Sequence, residues 1–155
     1  MIFKELILIF APFFILLGVS CSEQNESKAQ YADVMEVEAS GSENNFTFSV
    51  TIRSPDTGCE QFADWWEVIT TDGQLIYRRI LLHSHVNEQP FTRNGGPVNI
   101  DNTQEVIIRA HMNNAGYGGI ALKGTVNGGF LEIELARDFA SVLEKTQPLP
   151  TGCAF

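Results

Sequence analysis

Three histidines lie close together in the sequence, between positions 83 and 111. His83 and His85 are two residues apart, so both imidazoles project from one face if they belong to a single strand. His111 and Glu88 would complete a three- or four-ligand site if a neighbouring strand brings them close, and imidazole is a common ligand for transition metals. The spacing therefore predicts a metal site. The alternative is that the histidines are polar residues at strand ends that bond to loop carbonyls.

Two arginines on the same segments suggest a second kind of binding site. Arg79 shares strand parity with the first two histidines, and Arg109 shares it with His111. Guanidinium groups bind carboxylates and phosphates through paired hydrogen bonds, so neighbouring strands would form a cationic patch for a carboxylate, a phosphate or an acidic sugar. The alternative is that Glu67 and Glu105 pair with the arginines and no patch remains.

Two polar segments supply the remaining candidate binding residues. Residues 87–97 are rich in turn formers and too polar for a strand, so Phe91 and Arg93 are expected to project from a binding loop, unless the segment is a packed connector. Residues 113–119 are rich in asparagine and glycine, which suits a hairpin turn. Tyr117 in that segment is a candidate for presenting an aromatic ring to a ligand.

The motifs that commonly identify catalytic sites are absent from the sequence. There is no G-x-S-x-G nucleophile motif, no phosphate-binding G-x-x-x-x-G-K-[ST] and no H-E-x-x-H zinc motif. We therefore assign no catalytic residue and interpret the candidate side chains as binding groups.

Strand patterns dominate the segments that carry these residues. Residues 46–52 alternate large apolar side chains with serine and threonine, the period-two pattern of a strand with one buried face. Asp72-Gly73 and Asn127-Gly128-Gly129 each separate two β-prone runs, which predicts two hairpins. The expected strands cover residues 31–38, 46–52, 65–71, 74–83, 104–112, 120–126 and 130–135.

About seven short strands in a domain of this size predict an all-β fold. We expect an antiparallel two-sheet sandwich that resembles immunoglobulin and fibronectin-type domains, with a small β-barrel as the alternative. Alternation sends Trp65 and Trp66 to opposite faces, so one indole is expected in the core and the other in a ligand or protein contact. Residues 138–145 predict a short C-terminal helix that buries Phe139, Val142 and Leu143.

The N-terminal residues indicate where the protein is located. An uncharged apolar run from Leu6 to Val19 is shorter than the ~20 residues of a spanning helix and is typical of a signal peptide. Residues 17–21, Leu-Gly-Val-Ser-Cys, resemble a bacterial lipobox. The resemblance implies cleavage after residue 20, lipidation of Cys21 and attachment to a membrane, and Ser22 implies the outer rather than the inner membrane. An ordinary secretory signal is the alternative.

Cleavage at this site would divide the chain into a signal peptide (1–20), a lipidated cysteine with a flexible tether (21–30) and one β-sandwich domain (31–155). The whole chain has a formal net charge of −9, and removal of Lys4 and Glu5 with the signal leaves that charge unchanged. Such a charge argues against a nucleic-acid partner and against electrostatic attraction to anionic lipid.

Lipidation of Cys21 would also leave an even number of cysteines. Cys59 and Cys153 would then remain in an exported, oxidising compartment, and we expect them to form a structural disulfide. The alternative is a metal-binding or catalytic cysteine, although neither has a nearby partner at metal-site spacing.

Together these features predict a membrane-anchored envelope lipoprotein with a noncatalytic binding domain for an envelope protein or a carbohydrate. The second hypothesis is a small metal-binding protein or metalloenzyme that uses the three histidines. A transition metal is the cofactor that this hypothesis would require, and the first hypothesis requires none.

Overall fold

The computed structural model describes residues 30–154. These residues form eight β-strands and a short 3-10 helix, Ser141–Lys145. The strands are β1 (Asp33–Ser42), β2 (Asn45–Arg53), β3 (Ala63–Thr70), β4 (Leu75–Ile80), β5 (Phe91–Val98), β6 (Val106–Met112), β7 (Ala121–Thr125) and β8 (Gly129–Ile133).

The strands form two antiparallel sheets. One has three strands in the order β1-β2-β5, and the other has five in the order β4-β3-β6-β7-β8. The predicted two-sheet antiparallel sandwich is confirmed. Within residues 30–154 the strands do not close into one barrel, so the barrel alternative is wrong. Both predicted hairpins are present, as β3–β4 and β7–β8.

The main core lies between the sheets. On β2 the apolar residues Phe46, Phe48, Val50 and Ile52 are buried while their neighbours are not, as the alternation predicts. Val68 and Trp66 of β3 belong to the same core cluster, which also includes residues of β6. Removing this apolar surface from water is the main source of stability, at roughly 25 cal/mol per Å².

The five-stranded sheet is covered on its second face as well. Every residue of β6 and all but the last residue of β3 are buried, in place of the alternation of a half-exposed strand. A second core cluster forms there from Ile69, Ile107, Ala121 and Leu143. Trp66 is 0% exposed and Trp65 only 3%. The two indoles therefore occupy opposite faces, but neither is available as a surface contact.

The C-terminal segment, residues 136–154, provides this cover. It includes the short 3-10 helix where a helix was expected, with Leu143 buried and Phe139 half-buried. The expected burial of Val142 is wrong, because this residue is 70% exposed. Within residues 30–154 no helix is long and apolar enough to cross a bilayer.

The expected disulfide is present. Cys59 and Cys153 are joined, with their Cα atoms 5.7 Å apart, and the bridge links two positions that are 94 residues apart in the sequence. It ties the C-terminal segment to the loop before β3. Beside the bridge, the backbone amide of Ala154 donates to the carbonyl of Leu82 at 2.7 Å.

The polar segment 87–97 was expected to be a loop, and this expectation is wrong for residues 91–97, whereas residues 87–90 lie outside the strands. Phe91–Val98 forms β5, which pairs with β2 at the edge of the three-stranded sheet. Pro97 is tolerated because an edge strand does not need every backbone N–H as a donor. A Cβ atom at Gly95 would lie 2.8 Å from the Trp66 ring, so glycine permits close packing of this strand.

Candidate functional site

Two regions contain most of the side chains that the sequence identified as candidates. The outer-face cluster lies between the five-stranded sheet and the C-terminal segment, and consists of Asp64, Trp65, Glu67, Arg78, Arg109, His111 and Tyr117. The His83–Glu88 cleft lies at the end of the sandwich after β4, and is lined by His83, Ser84, His85, Val86, Asn87, Glu88 and Ala154.

Glu67 is the centre of the outer-face cluster. Its carboxylate is completely buried and accepts hydrogen bonds from Arg78 on one side and Arg109 on the other. The Nε atoms of these arginines lie 2.9 and 2.8 Å from its oxygens, and the Tyr117 hydroxyl donates at 2.8 Å. A buried ion triad is tolerated only when each charge has such partners.

Strand register explains this arrangement. Glu67 of β3 lies directly opposite Arg78 of β4 and opposite Arg109 of β6. The expected partner on β4 was Arg79, but Arg79 is exposed and pairs in register with Trp66. The sequence did contain the missing signal. A two-residue turn at Asp72-Gly73 would count back to the pair Glu67–Arg78, and the structure reaches the same pair through a longer turn and a register shift between Val68 and Ile69.

The remaining donors of the two arginines bind the C-terminal segment. Arg78 donates to the carbonyls of Leu143, Thr146 and Pro148 at 2.7–3.0 Å. Arg109 donates to the carbonyls of Phe139 and Ala140 at 2.6 and 3.2 Å. Glu105, the other expected partner, instead pairs with Lys123. The predicted cationic patch of Arg79 and Arg109 is not formed, because Arg109 is buried and Arg79 lies elsewhere.

Aromatic stacking extends the cluster to His111. The His111 ring lies on Trp65 with centroids 3.6 Å apart, and the Arg78 guanidinium lies 4.4 Å from the same indole. Arg109 lies 3.5 Å from the centroid of the Tyr117 ring. Tyr117 is therefore buried within the protein rather than presented to a ligand.

Asp64 holds the His111 ring. Its carboxylate lies 2.6 Å from His111 Nδ1, and a β-bulge between Ala63 and Trp65 directs Asp64 toward that ring. Burial raises the pKa of Asp64, and the hydrogen bond to His111 opposes that rise. Burial also raises the pKa of Tyr117 well above its usual value, assisted by the neighbouring Glu67 carboxylate. Tyr117 therefore remains a neutral hydroxyl that donates to Glu67.

The His83–Glu88 cleft has a different character. The His85 ring stacks on Phe91 with centroids 3.7 Å apart, and its side chain is 1% exposed. Its backbone amide donates to Asp56 at 2.8 Å, which fixes the loop. Neither ring nitrogen of His85 has a hydrogen-bond partner. The Ser84 hydroxyl also lacks one. His83 is exposed, and its ring centroid lies 4.5 Å from that of His85.

The charges beside this cleft are already paired. Glu88 and Arg93 form an ion pair of 2.8 Å at its rim, and this hydrogen bond lowers the pKa of Glu88. Burial lowers the pKa of His85, and the positive charge of Arg93 lowers it further, so the ring is neutral at pH 7. Phe91 does not project from a loop, since it is buried in the core beneath His85.

The candidate metal ligands are divided between the two regions. His83, His85 and Glu88 line the cleft, whereas His111 belongs to the outer-face cluster. Among residues 30–154, no three histidine, cysteine, aspartate or glutamate side chains are arranged to hold a metal ion. The structure does not form the predicted three-histidine site. Strand parity predicts the sheet face on which each imidazole lies, but it does not predict which strands are neighbours. Cys21 lies outside the described residues.

Comparison with known proteins identifies a relative in Halomicrobium mukohataei that carries the name "Putative lipoprotein". The two chains are 39% identical over 101 residues, which is 65% of this chain and 49% of the relative. This chain therefore spans about half the length of that relative. Only 30 positions lie outside residues 30–154, so most of the matched residues belong to the β-sandwich. No protein-family model and no solved structure matches the chain.

Proposed function

We propose that this chain is a lipid-anchored protein of the bacterial cell envelope whose β-sandwich is a noncatalytic binding domain. The lipobox-like residues 17–21 and the relative's name both support the anchor. Two or three acyl chains would hold the protein firmly on the membrane, because each buried methylene contributes about 0.8 kcal/mol. A single acyl chain gives only marginal membrane binding.

One observation carries the binding role: among residues 30–154, three of the four unpartnered buried polar atoms belong to two adjacent residues, Ser84 and His85, that line one open cleft. The outer-face cluster contains the side chains that resemble an acid–base site, but they bind one another and the C-terminal segment. The His83–Glu88 cleft has a volume of about 490 Å³, within the range of small-molecule sites. It is therefore the surface that we assign to a partner, either an envelope protein or a carbohydrate.

Replacement of Cys21 tests the anchor. Cys21→Ala should abolish incorporation of labelled palmitate and release the protein from membranes, since no other attachment is proposed. Ser22→Ala is the matched control and should retain both properties. A Cys21→Ala protein that still sediments with membranes would contradict the anchor.

Ser22 tests the choice of membrane. In the lipobox resemblance, an aspartate after the lipidated cysteine favours retention at the inner membrane. Ser22→Asp should move the acylated protein from the outer-membrane to the inner-membrane fraction on a density gradient. An unaltered distribution would contradict the proposed sorting while leaving the anchor intact.

Site-specific crosslinking tests the binding role. The photoreactive residue p-benzoylphenylalanine is placed at Asn87, which lines the cleft and is exposed, and at Glu36, an exposed residue of β1, as the control. Irradiated cells should give a discrete envelope adduct from position 87 that position 36 does not give. Identical patterns from the two positions would reject the cleft as the binding surface.

A further inference from the structure

Buried polar atoms without partners are concentrated at one point in the described chain. Four such side-chain atoms are found among residues 30–154: Trp66 Nε1, Ser84 Oγ, and Nδ1 and Nε2 of His85. Three of the four belong to adjacent residues, and both residues line the same cleft. Buried polar groups in folded proteins are normally hydrogen-bonded, so such a concentration requires an explanation. One hydrogen-bonding ligand seated in the cleft would partner all three atoms at once.

The protonation state of these groups defines the chemistry of that ligand. A neutral imidazole has one N–H donor and one acceptor nitrogen, and a serine hydroxyl both donates and accepts. The depressed pKa of His85 keeps its ring neutral. The ligand must therefore supply donors and acceptors side by side without charge. Hydroxyl groups meet this requirement, whereas a carboxylate or a phosphate only accepts.

The surroundings of the cleft favour the same class of ligand. Val86 and Ala154 supply apolar surface to the lining, and exposed Asn87 adds amide donors and an acceptor at the rim. Glu88 and the net charge of −9 oppose an anion. A saccharide combines C–H surfaces with several hydroxyl groups, so it complements both parts of the lining.

We propose that the His83–Glu88 cleft binds a neutral saccharide whose hydroxyl groups exchange hydrogen bonds with Ser84 and His85. This inference rests on the proposed binding role of the domain and specifies its ligand. Ser84 supplies its hydroxyl, and His85 supplies one donor and one acceptor from a ring held on Phe91. The exposed His83 ring lies beside that of His85, with centroids 4.5 Å apart, so the proposal requires His83 to turn aside for a hydroxyl to reach the buried nitrogens.

The first test is a titration of the full chain with named sugars. The protein, labelled with ¹⁵N-histidine, is purified without a histidine tag in a detergent that has no sugar headgroup. Glucose, galactose, mannose, N-acetylglucosamine and their β-linked disaccharides are then added. We expect a saturable change in the imidazole nitrogen signals of His85, while those of His111 do not change. No response of His85 to any of these sugars at about 10 mM would overturn the saccharide assignment.

Matched variants distinguish a ligand site from a structural role. His85→Phe keeps a ring on Phe91 and removes both unpartnered nitrogens, and Ser84→Ala removes the unpartnered hydroxyl. Each should weaken sugar binding by about tenfold or more and raise the melting temperature, since an unsatisfied buried group is removed. A lower melting temperature for both variants would show that these atoms are satisfied in the folded protein, and would overturn the proposal.

His83→Ala separates a sugar site from a metal site and should fold normally, because His83 is exposed. A saccharide should bind this variant at least as tightly as it binds the unaltered protein. Saturable binding of Cu²⁺ or Zn²⁺ that His83→Ala abolishes, without any response to sugar, would replace the saccharide by a metal. A protein adduct at Asn87 with no sugar response would reject the saccharide but leave the binding domain in place. If neither a protein adduct at Asn87 nor a response to sugar is found, the binding role itself is rejected.

Discussion

The outer-face cluster and the His83–Glu88 cleft both bury histidine beside an aspartate and an aromatic ring, but they differ in hydrogen bonding. His111 stacks on Trp65 and bonds to Asp64 at 2.6 Å. His85 stacks on Phe91, yet its Nδ1 lies 3.8 Å from Asp56 and both ring nitrogens lack a partner. Burial and residue type alone therefore do not identify a binding site. The presence or absence of an internal partner separates a structural group from a candidate ligand group.

Glu67→Gln should give the largest effect, because it leaves two buried guanidinium groups without their carboxylate. We expect a loss of about 3–5 kcal/mol in the free energy of unfolding, measured by urea denaturation. Glu88→Gln is the matched control, since it makes the same change in an exposed ion pair, where little or no loss is expected. Equal losses in the two variants would contradict the structural role of the outer-face cluster.

Loss of the disulfide should have the next largest effect and should reach both regions. The bridge holds the C-terminal segment, which covers the outer-face cluster and contributes Ala154 to the cleft. The double variant Cys59→Ser/Cys153→Ser should lose about 2–4 kcal/mol, measured against oxidised protein. An unchanged melting temperature, or two free thiols in the exported protein, would contradict a structural bridge.

Replacement of histidine by phenylalanine should change the free energy of unfolding in opposite directions in the two regions. His111→Phe keeps the stack on Trp65 but removes the partner of Asp64, which should cost about 1–3 kcal/mol. His85→Phe keeps the stack on Phe91 and removes only unpartnered atoms, so the free energy of unfolding should rise by about 1 kcal/mol. Parallel urea titrations at pH 7 compare them directly. Destabilisation by both variants would remove the distinction between the two regions.

The smallest effect is the dependence of stability on pH. The folded-state pKa of His85 is lowered from 6.5, chiefly by burial and secondarily by Arg93 and His83, while Asp56 and Glu88 oppose the change. The unfolded chain therefore binds the proton first, and the protein loses stability as the pH falls below 6.5, because the folded state resists protonation of His85.

Unfolding free energies measured from pH 8 to pH 5 test this linkage. The unaltered protein should lose more stability over this range than His85→Phe, which lacks the titrating group. Asp64, whose pKa is raised, contributes in the opposite direction, but it contributes equally to both proteins and cancels in the difference. Coincident pH profiles would show that His85 does not titrate differently in the folded and unfolded chains.

Several parts of the fold followed from local patterns in the sequence. The alternation of residues 46–52 predicted β2 and its buried face, and Asp72-Gly73 predicted the β3–β4 hairpin. These predictions succeeded because the side-chain period of a strand and the backbone angles of a turn are local properties. β5 was missed because its polar, glycine-rich sequence is stabilised by pairing with β2 and by packing against Trp66. Neither contact is visible in the local sequence.

The sequence by itself determined the all-β class, the lipobox-like leader, and the parity that placed Arg109 and His111 on one face of a strand. The disulfide also followed from counting the cysteines that remain after Cys21. Only the tertiary structure separated His111 from His83 and His85, covered the arginines with the C-terminal segment, and left Ser84 and His85 without partners. The physical reason is that hydrogen-bond satisfaction depends on groups distant in sequence, and strand parity fixes only the face on which each side chain lies.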